Sequence, residues 1–132
     1  LLITKKNMTS KLMIIIGSIS GAISVVLGAF GAHALKDSLT ASGRLETYET
    51  AVKYQMYHSL AMILLGILMI HFQHRFLNYA SYSFLIGVII FSGSLYVLCA
   101  TGIAKLGAIT PIGGVFLIAA WLLLAIGIYK TA

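Results

Sequence analysis

The sequence predicts an all-α integral membrane protein that folds as a four-helix bundle. Of its 132 residues, 60% are hydrophobic and only 9% are charged, whereas about a quarter of the residues in soluble domains are charged. Four apolar segments each contain about 20 residues, the length that a helix needs to cross roughly 30 Å of hydrocarbon. Because backbone groups in lipid must be hydrogen-bonded within their own segment, these segments are predicted to be helices.

The predicted helices cover about residues 12–35, 44–72, 79–100 and 110–129. The short connection between the second and third helices predicts an antiparallel hairpin. The fourth helix has a marked start, because Thr110 is a favourable N-cap and Pro111 suits the first helical position. Residues 12–132 are therefore predicted to form a single transmembrane domain, which follows an N-terminal extension at residues 1–11.

The net charge is +6. The basic residues are scattered beside apolar runs and form no stripe with interleaved aromatic residues, so nucleic acid is not an expected partner. Lys and Arg near helix ends orient membrane proteins, with their excess on the cytoplasmic side. The side of the N-terminus would carry Lys5, Lys6, Lys11, Arg75 and Lys130, and the other side Lys36, Arg44, Lys53 and Lys105. This balance favours a multi-pass arrangement with both termini in the cytoplasm.

Small residues recur at helical spacing in three of the predicted helices. In the first helix, their spacing of four, three, four and three places them on one narrow face. Small residues permit close approach of helices in lipid, so this stripe predicts a tight helix contact, and we favour a partner helix within the same chain. The predicted packing residues are Gly17, Gly21, Ser24, Gly28 and Gly31 in the first helix, Gly87 and Ser94 in the third, and Gly113 and Gly114 in the fourth.

The second helix carries a polar stripe within its apolar segment. Tyr48, Gln55, His58 and Ser59 share an arc of about 100° on an ideal helix. Because polar groups that face lipid are unfavourable, this arc is predicted to face the bundle interior. His33 completes the candidate intramembrane polar cluster, because it lies toward the same side of the membrane as His58.

The role of His33 leaves alternatives open. On an ideal helix it points away from the small-residue stripe, so either it packs on a different neighbour or residues 28–31 deviate from ideal helix. Two histidines on different helices could bind haem or a metal, although the glycine stripe leaves little space. A relay of protons or substrate through His33, Gln55 and His58 is a second alternative. Histidines that fix helix register by hydrogen bonds are the favoured interpretation.

The sequence contains no pattern typical of an enzyme. It has no phosphate-binding loop and no metal-ligand spacing. The acidic residues Asp37, Glu46 and Glu49 lie in or near one loop, which disfavours a paired-carboxylate hydrolase. The single cysteine, Cys99, cannot form an internal disulfide. We therefore expect neither catalysis nor a bound cofactor.

Four motifs in order carry a family resemblance: residues 27–33 (LGAFGAH), 50–55 (TAVKYQ) with His58, 91–96 (FSGSLY) and 106–114 (LGAITPIGG). With them, nearly the whole chain after Met8 resembles the domain of unknown function 423 family. Small departures occur at Ala34, Tyr48 and Ser59. The resemblance implies a four-helix protein of the cell inner (plasma) membrane and no particular activity. Its motif residues here are Gly28, Gly31, His33, Gln55, His58, Ser92, Ser94, Thr110, Pro111, Gly113 and Gly114.

These observations support two hypotheses of function. The first is an accessory or assembly subunit of a larger membrane complex, because the chain is small, has two small-residue packing faces and lacks a reactive constellation. Its expected partners are the lipid bilayer and either other membrane protein subunits or further copies of itself. The second is an oligomeric small transporter or channel-like protein that uses the His/Gln polar cluster.

Overall fold

The computed structural model describes residues 8–131, which fold into helices joined by short connections. Four helical segments among these residues are long and apolar enough to cross a membrane. The predicted fold class, an all-α membrane bundle of four helices, is confirmed. The helices are α1 (Ser10–Ala32), α2 (Lys36–Ala41), α3 (Leu45–His71), α4 (Arg75–Thr101) and α5 (Thr110–Lys130), with a 3₁₀ helix at Ala104–Ala108 before α5.

Helix boundaries differ from the prediction where polar side chains cap a helix. The Thr9 hydroxyl accepts a 3.1 Å hydrogen bond from the backbone N–H of Leu12, and α1 begins at Ser10. The last two residues of the predicted extension therefore belong to α1, and residues 1–7, with Lys5 and Lys6, lie outside the described residues. His74 caps α4 with its Nδ1, which accepts a 3.0 Å hydrogen bond from the N–H of Phe76. This cap places the start of α4 four residues before the predicted start.

The predicted N-cap at Thr110 is wrong. Ile109 holds the cap position with helical backbone angles (φ −81°, ψ −32°), and no side chain bonds to the end of α5. The preceding 3₁₀ helix already brings the chain into helical geometry, so the threonine hydroxyl is available elsewhere. It lies 2.6 Å from the Ser94 hydroxyl in α4, where both groups are buried. Pro111 does lie in the first turn of α5, as its missing N–H favours.

The spanning helices contact one another in the order α1, α3, α4, α5. α1 packs mainly on α3, and α5 packs mainly on α4, so these two helices lie at the ends of the row. The core is apolar and includes Met13, Met62, Leu65, Phe84 and Leu117. The outward surfaces are apolar as well, as expected when the surroundings are lipid. Their most exposed aliphatic side chains include Ile19, Val25, Leu64, Ile89 and Val115, which are 57–66% exposed.

The small-residue stripe of α1 faces α3. A Cβ atom at Gly17 would lie 2.8 Å from the carbonyl oxygen of Ser59, and one at Gly31 would overlap the ring of Tyr48. Gly28 is less crowded, with Val52 at 3.3 Å, and Gly21 lies in ordinary contact at 3.9 Å from Ser59. Ser24 is buried and donates to the carbonyl of Ser20 within its own helix at 3.0 Å. The partner of this stripe is therefore a helix of the same chain.

Glycines also permit the contact between α4 and α5. A Cβ atom at Gly87 would lie 2.6 Å from Leu117, and one at Gly113 would overlap backbone atoms of Phe91. Gly114 is looser, with the Phe91 ring at 3.8 Å. Two further close-packed glycines, Gly66 and Gly127, were not among the predicted packing residues. A Cβ atom at Gly66 would lie 2.9 Å from the Ser10 carbonyl oxygen, and one at Gly127 would lie 2.9 Å from the Leu77 side chain.

The two glycines at positions 113 and 93 provide a matched test of this packing. In Gly113→Ala, the new methyl group meets the backbone of Phe91, which cannot move aside as a side chain can. We expect a loss of about 1–3 kcal/mol in the free energy of unfolding. Gly93→Ala is the control, because a Cβ atom there meets nothing within 4 Å. Denaturant titration in detergent measures both variants, and equal stability of the two would contradict the assigned contact.

Candidate functional site: the polar interior of the bundle

Gln55 lies at the centre of a hydrogen-bond network that joins three helices. Its Nε2 donates to the carbonyl oxygen of Ser20 in α1 at 3.1 Å and lies 3.3 Å from the Ser20 hydroxyl. Its Oε1 accepts a 2.6 Å hydrogen bond from the Tyr96 hydroxyl in α4. The Ser59 hydroxyl, one turn along α3, lies 2.7 Å from the Ser20 hydroxyl and 2.6 Å from the Gln55 backbone carbonyl. One amide side chain therefore connects α3 to both neighbouring helices.

Two more hydroxyls join the same helices. Tyr48 in α3 donates to the carbonyl oxygen of Leu27 in α1 at 2.5 Å. Ser92 in α4 donates to the carbonyl oxygen of Ala51 in α3 at 2.8 Å. The rings of Tyr48 and Tyr96 meet edge to face with their centroids 5.7 Å apart, a favourable geometry for aromatic pairs. The network thus extends from the middle of α3 toward its N-terminal end.

A cleft of about 480 Å³ lies beside this network, with α1 and α4 as its walls and α3 as its floor. Its walls are apolar, and the exposed side chains of Ile19 and Ile89 stand at its rim. Its polar lining consists of Ser20, Gln55, Ser92 and Tyr96. The volume lies within the range of small-molecule pockets, roughly 300–1,000 Å³. Because the donors of Gln55, Tyr96 and Ser92 serve the network, the cleft presents mainly hydrogen-bond acceptors.

His58 lies on the same arc of α3 as Gln55, but its ring is directed toward α5. Its Nδ1 lies 2.7 Å from the carbonyl oxygen of Tyr54, and its Nε2 lies 3.1 Å from the indole Nε1 of Trp121. An indole nitrogen can only donate, so the histidine Nε2 must accept and the proton must lie on Nδ1. Phe84 packs edge to face on Trp121, with ring centroids 5.1 Å apart. The geometry defines a neutral histidine of fixed tautomer within an aromatic group.

The structure divides the predicted polar cluster. Tyr48, Gln55 and Ser59 face α1 and α4, whereas His58 faces α5. The inclusion of His33 was wrong, because it is exposed and its ring forms no hydrogen bond among the described residues. α1 is helical through residue 32, and the backbone of His33 then leaves helical geometry (φ −124°, ψ −84°), which carries its side chain out of the bundle.

The partners of Gln55 and His58 were not predicted. Ser20 lies on α1 beside the small-residue stripe, and a serine in a glycine-rich helix is also typical of plain packing. Tyr96 and Ser92 lie in the family motif at residues 91–96, but the motif does not indicate which groups they bond to. Trp121 gives no sequence signal for a bond to His58, since the two residues are separated by 63 positions. Only the packing of the helices brings these groups together.

The fold and this network define a multi-pass helical membrane protein whose polar side chains join its helices within the bilayer. The chain belongs to the family described as "Protein of unknown function (DUF423)", whose sequence profile matches residues 27–114. That range contains all of α3 and α4, parts of α1 and α5, and most of the network.

Relatives of similar length support this membership. A "UPF0382 membrane protein" of Staphylococcus haemolyticus is 46% identical over 120 residues, which cover 91% of this chain and 97% of the relative. The "UPF0382 membrane protein YwdK" of Bacillus subtilis is 38% identical over 121 residues, covering 91% and 98%. The "UPF0382 inner membrane protein YgdD" of Escherichia coli is 38% identical over 120 residues, covering 91% of each chain. No solved structure matches the chain.

The Gln55–Tyr96 hydrogen bond can be tested by a double-mutant cycle of Gln55→Leu and Tyr96→Phe. Each change removes one side of the bond, so their effects on unfolding free energy should be coupled by about 0.6 kcal/mol, and by no more than about 1.7. Gln55→Leu combined with Ser83→Ala is the control, because Ser83 bonds separately to the Phe116 carbonyl at 2.7 Å. Coupling of the test pair no larger than that of the control pair would refute the bond.

The tautomer of His58 can be tested by nitrogen NMR of protein with labelled histidine. We expect the proton on Nδ1 in the wild type, because the Trp121 indole occupies Nε2. Trp121→Phe should release this constraint and shift the Nδ1 and Nε2 signals. His33, whose ring has no such partner among the described residues, provides a reference signal in the same sample. A proton on Nε2 in the wild type would refute the indole hydrogen bond.

Proposed function

We propose that this protein is a non-catalytic accessory or assembly subunit of the cell inner (plasma) membrane, which acts by lateral contact with other membrane proteins. One observation carries the proposal. Among residues 8–131, every buried side-chain nitrogen and oxygen already has a hydrogen-bond partner. A catalytic site requires polar groups that are free to meet a substrate. Here these groups hold helices together, which leaves the lateral surface to meet partners.

The positions of the histidines support this proposal over a relay. A relay needs polar groups that follow one another along a continuous path. Gln55 bonds toward α1 and α4, His58 bonds toward α5, and His33 lies outside the bundle. The three groups that the sequence suggested for a path therefore face three different environments.

The cleft between α1 and α4 is the part of the lateral surface most suited to a partner. Two helices that leave a groove between them can receive side chains of a third helix. Ile19 and Ile89 give the groove apolar edges, which match the apolar side chains of a membrane-spanning partner. We further propose that both termini lie in the cytoplasm, following the distribution of Lys and Arg.

A small transporter or channel-like protein is the alternative function, and the polar lining of the cleft favours it. The cleft opens sideways between α1 and α4, so further copies would be needed to enclose a path across the membrane. If the protein is a transporter or channel, proteoliposomes that contain the wild type should show solute flux. Gly93→Leu should abolish this flux, because the leucine side chain fills the cleft. The accessory role expects no flux in either protein.

Extraction of the tagged protein in native lipid particles tests the accessory role. We expect another membrane protein to co-purify with the wild type in a fixed ratio. Gly93→Leu should reduce that ratio by about tenfold, the effect of roughly 1.4 kcal/mol, because Gly93 lines the cleft and its Cβ would meet nothing within 4 Å. Ala125→Leu, at an exposed position of α5, is the matched control and should leave the ratio unchanged.

Two outcomes would contradict the proposal. One is a wild-type particle that contains lipid and this chain alone. The other is an equal loss of the co-purifying protein in Gly93→Leu and in the Ala125→Leu control, because the loss would then reflect a general effect of added bulk.

A further inference from the structure

A stripe of exposed residues runs along the outer side of α3. It consists of Lys53, Tyr57, Leu60, Leu64 and Ile67, and we call it the α3 outer stripe. Its four apolar and aromatic members are 44–58% exposed. Their spacing of four, three, four and three is that of the contact face of a left-handed helix pair. The stripe lies opposite Gln55 and Met62, so the contacts within the bundle leave it free.

The polar part of this stripe is unusual for a surface that meets lipid. Tyr57 lies at the middle of α3, and Lys53 lies one turn away, about 6 Å along the helix axis. Neither side chain forms a hydrogen bond or ion pair with any described residue. Tyrosine favours the membrane interface over the membrane centre. A charged group at this depth is unfavourable unless it is paired or reaches water.

The same side of α3 carries the complementary charge. Glu49 is exposed one turn before Lys53, toward the loop that joins α1 to α3. On an ideal helix, Glu49 lies within about 40° of Lys53. Such a face can pair with a copy of itself, because a two-fold axis brings the acid of each copy next to the base of the other.

A second copy related by a two-fold axis along the membrane normal meets the geometric requirements. The axis keeps every residue at the same depth in both copies. Glu49 of one copy and Lys53 of the other then differ in depth by about one helical turn, roughly 6 Å. A long lysine side chain can cover that distance. The pair forms twice, and Tyr57, Leu60 and Leu64 meet their own counterparts near the axis.

We propose that the protein forms a parallel two-fold dimer through the α3 outer stripe, in which Glu49 of each copy pairs with Lys53 of the other. The pairing removes both basic side chains from contact with lipid and covers Tyr57 in both copies. The stripe is separate from the cleft between α1 and α4. A failure of this dimer therefore leaves the accessory role intact, and a failure of the accessory role leaves the dimer intact.

Cysteine cross-linking in native membranes tests the interface. In a Cys99→Ser background, Leu60→Cys and Leu64→Cys should each give a disulfide-linked dimer on mild oxidation. Ile118→Cys is the matched control, because Ile118 is 62% exposed near the middle of α5 and lies outside the stripe. A cross-link at the stripe that is no stronger than the one at α5 would overturn the dimer.

Charge exchange tests the ion pair, with the Leu60→Cys cross-link as the readout. Lys53→Glu alone and Glu49→Lys alone should each reduce the cross-link by about tenfold, since each places like charges across the axis. Lys36→Glu, a charge change outside the stripe, should have no effect. Both single variants should insert and fold, because both positions are exposed.

Co-expression of Lys53→Glu with Glu49→Lys gives the decisive result. Each chain alone repels its own copy, whereas the two together place opposite charges at both sites. The cross-link should return to the wild-type level in the mixed dimer, which also shows that neither variant is misfolded. Undiminished cross-linking in the single variants, or no recovery on mixing, would overturn the Glu49–Lys53 pairing.

Discussion

The amide of Gln55 serves two helices at once, and much of the bundle depends on it. Its Nε2 bonds to α1 at Ser20 and its Oε1 accepts from α4 at Tyr96. In water, such bonds would add little to stability, because the separated groups would bond to solvent. Within a bilayer no solvent is available, so each polar side chain must find its partner in another helix or in its own backbone. The polar stripe of α3 therefore sets which helices are neighbours and at what register.

Close packing and hydrogen bonding act together at these contacts. Gly17 and Gly31 let α1 approach α3 closely enough for the bonds of Ser20 and Leu27 to form. The α4–α5 contact repeats the arrangement, with Gly113 against Phe91 and the Ser94–Thr110 bond one turn away. Lipid provides no hydrophobic drive between helices, so packing and polar bonds are the main forces that hold this row together. The bulk of the surface is then free to meet lipid or other proteins.

Two polar side chains of α3 take no part in these interior hydrogen bonds and lie on the outer surface. The buried polar groups bond to one another, whereas Lys53 and Tyr57 on the outer side of α3 form no hydrogen bond or ion pair with a described residue. The cleft between α1 and α4 is a second surface feature, with its polar lining occupied by the internal network. The proposed accessory role and the proposed dimer through α3 rest on the same division. The interior polar side chains stabilise the fold, and the outer faces are available for contact with other proteins.

By itself, the sequence determined the membrane class, the four spans and the interior direction of the α3 stripe, because length, hydropathy and helical periodicity are local properties. It also identified most of the close-packed glycines, since lipid makes small-residue stripes informative. Tertiary structure decided which groups meet. Trp121 and His58 are distant in sequence, and their bond exists only because α3 and α5 both pack on α4. The tertiary structure also places His33 outside the bundle and gives the Thr110 hydroxyl a hydrogen bond to Ser94 in place of a capping role. The ends of a helix depend on contacts with neighbouring segments, which the local sequence does not specify.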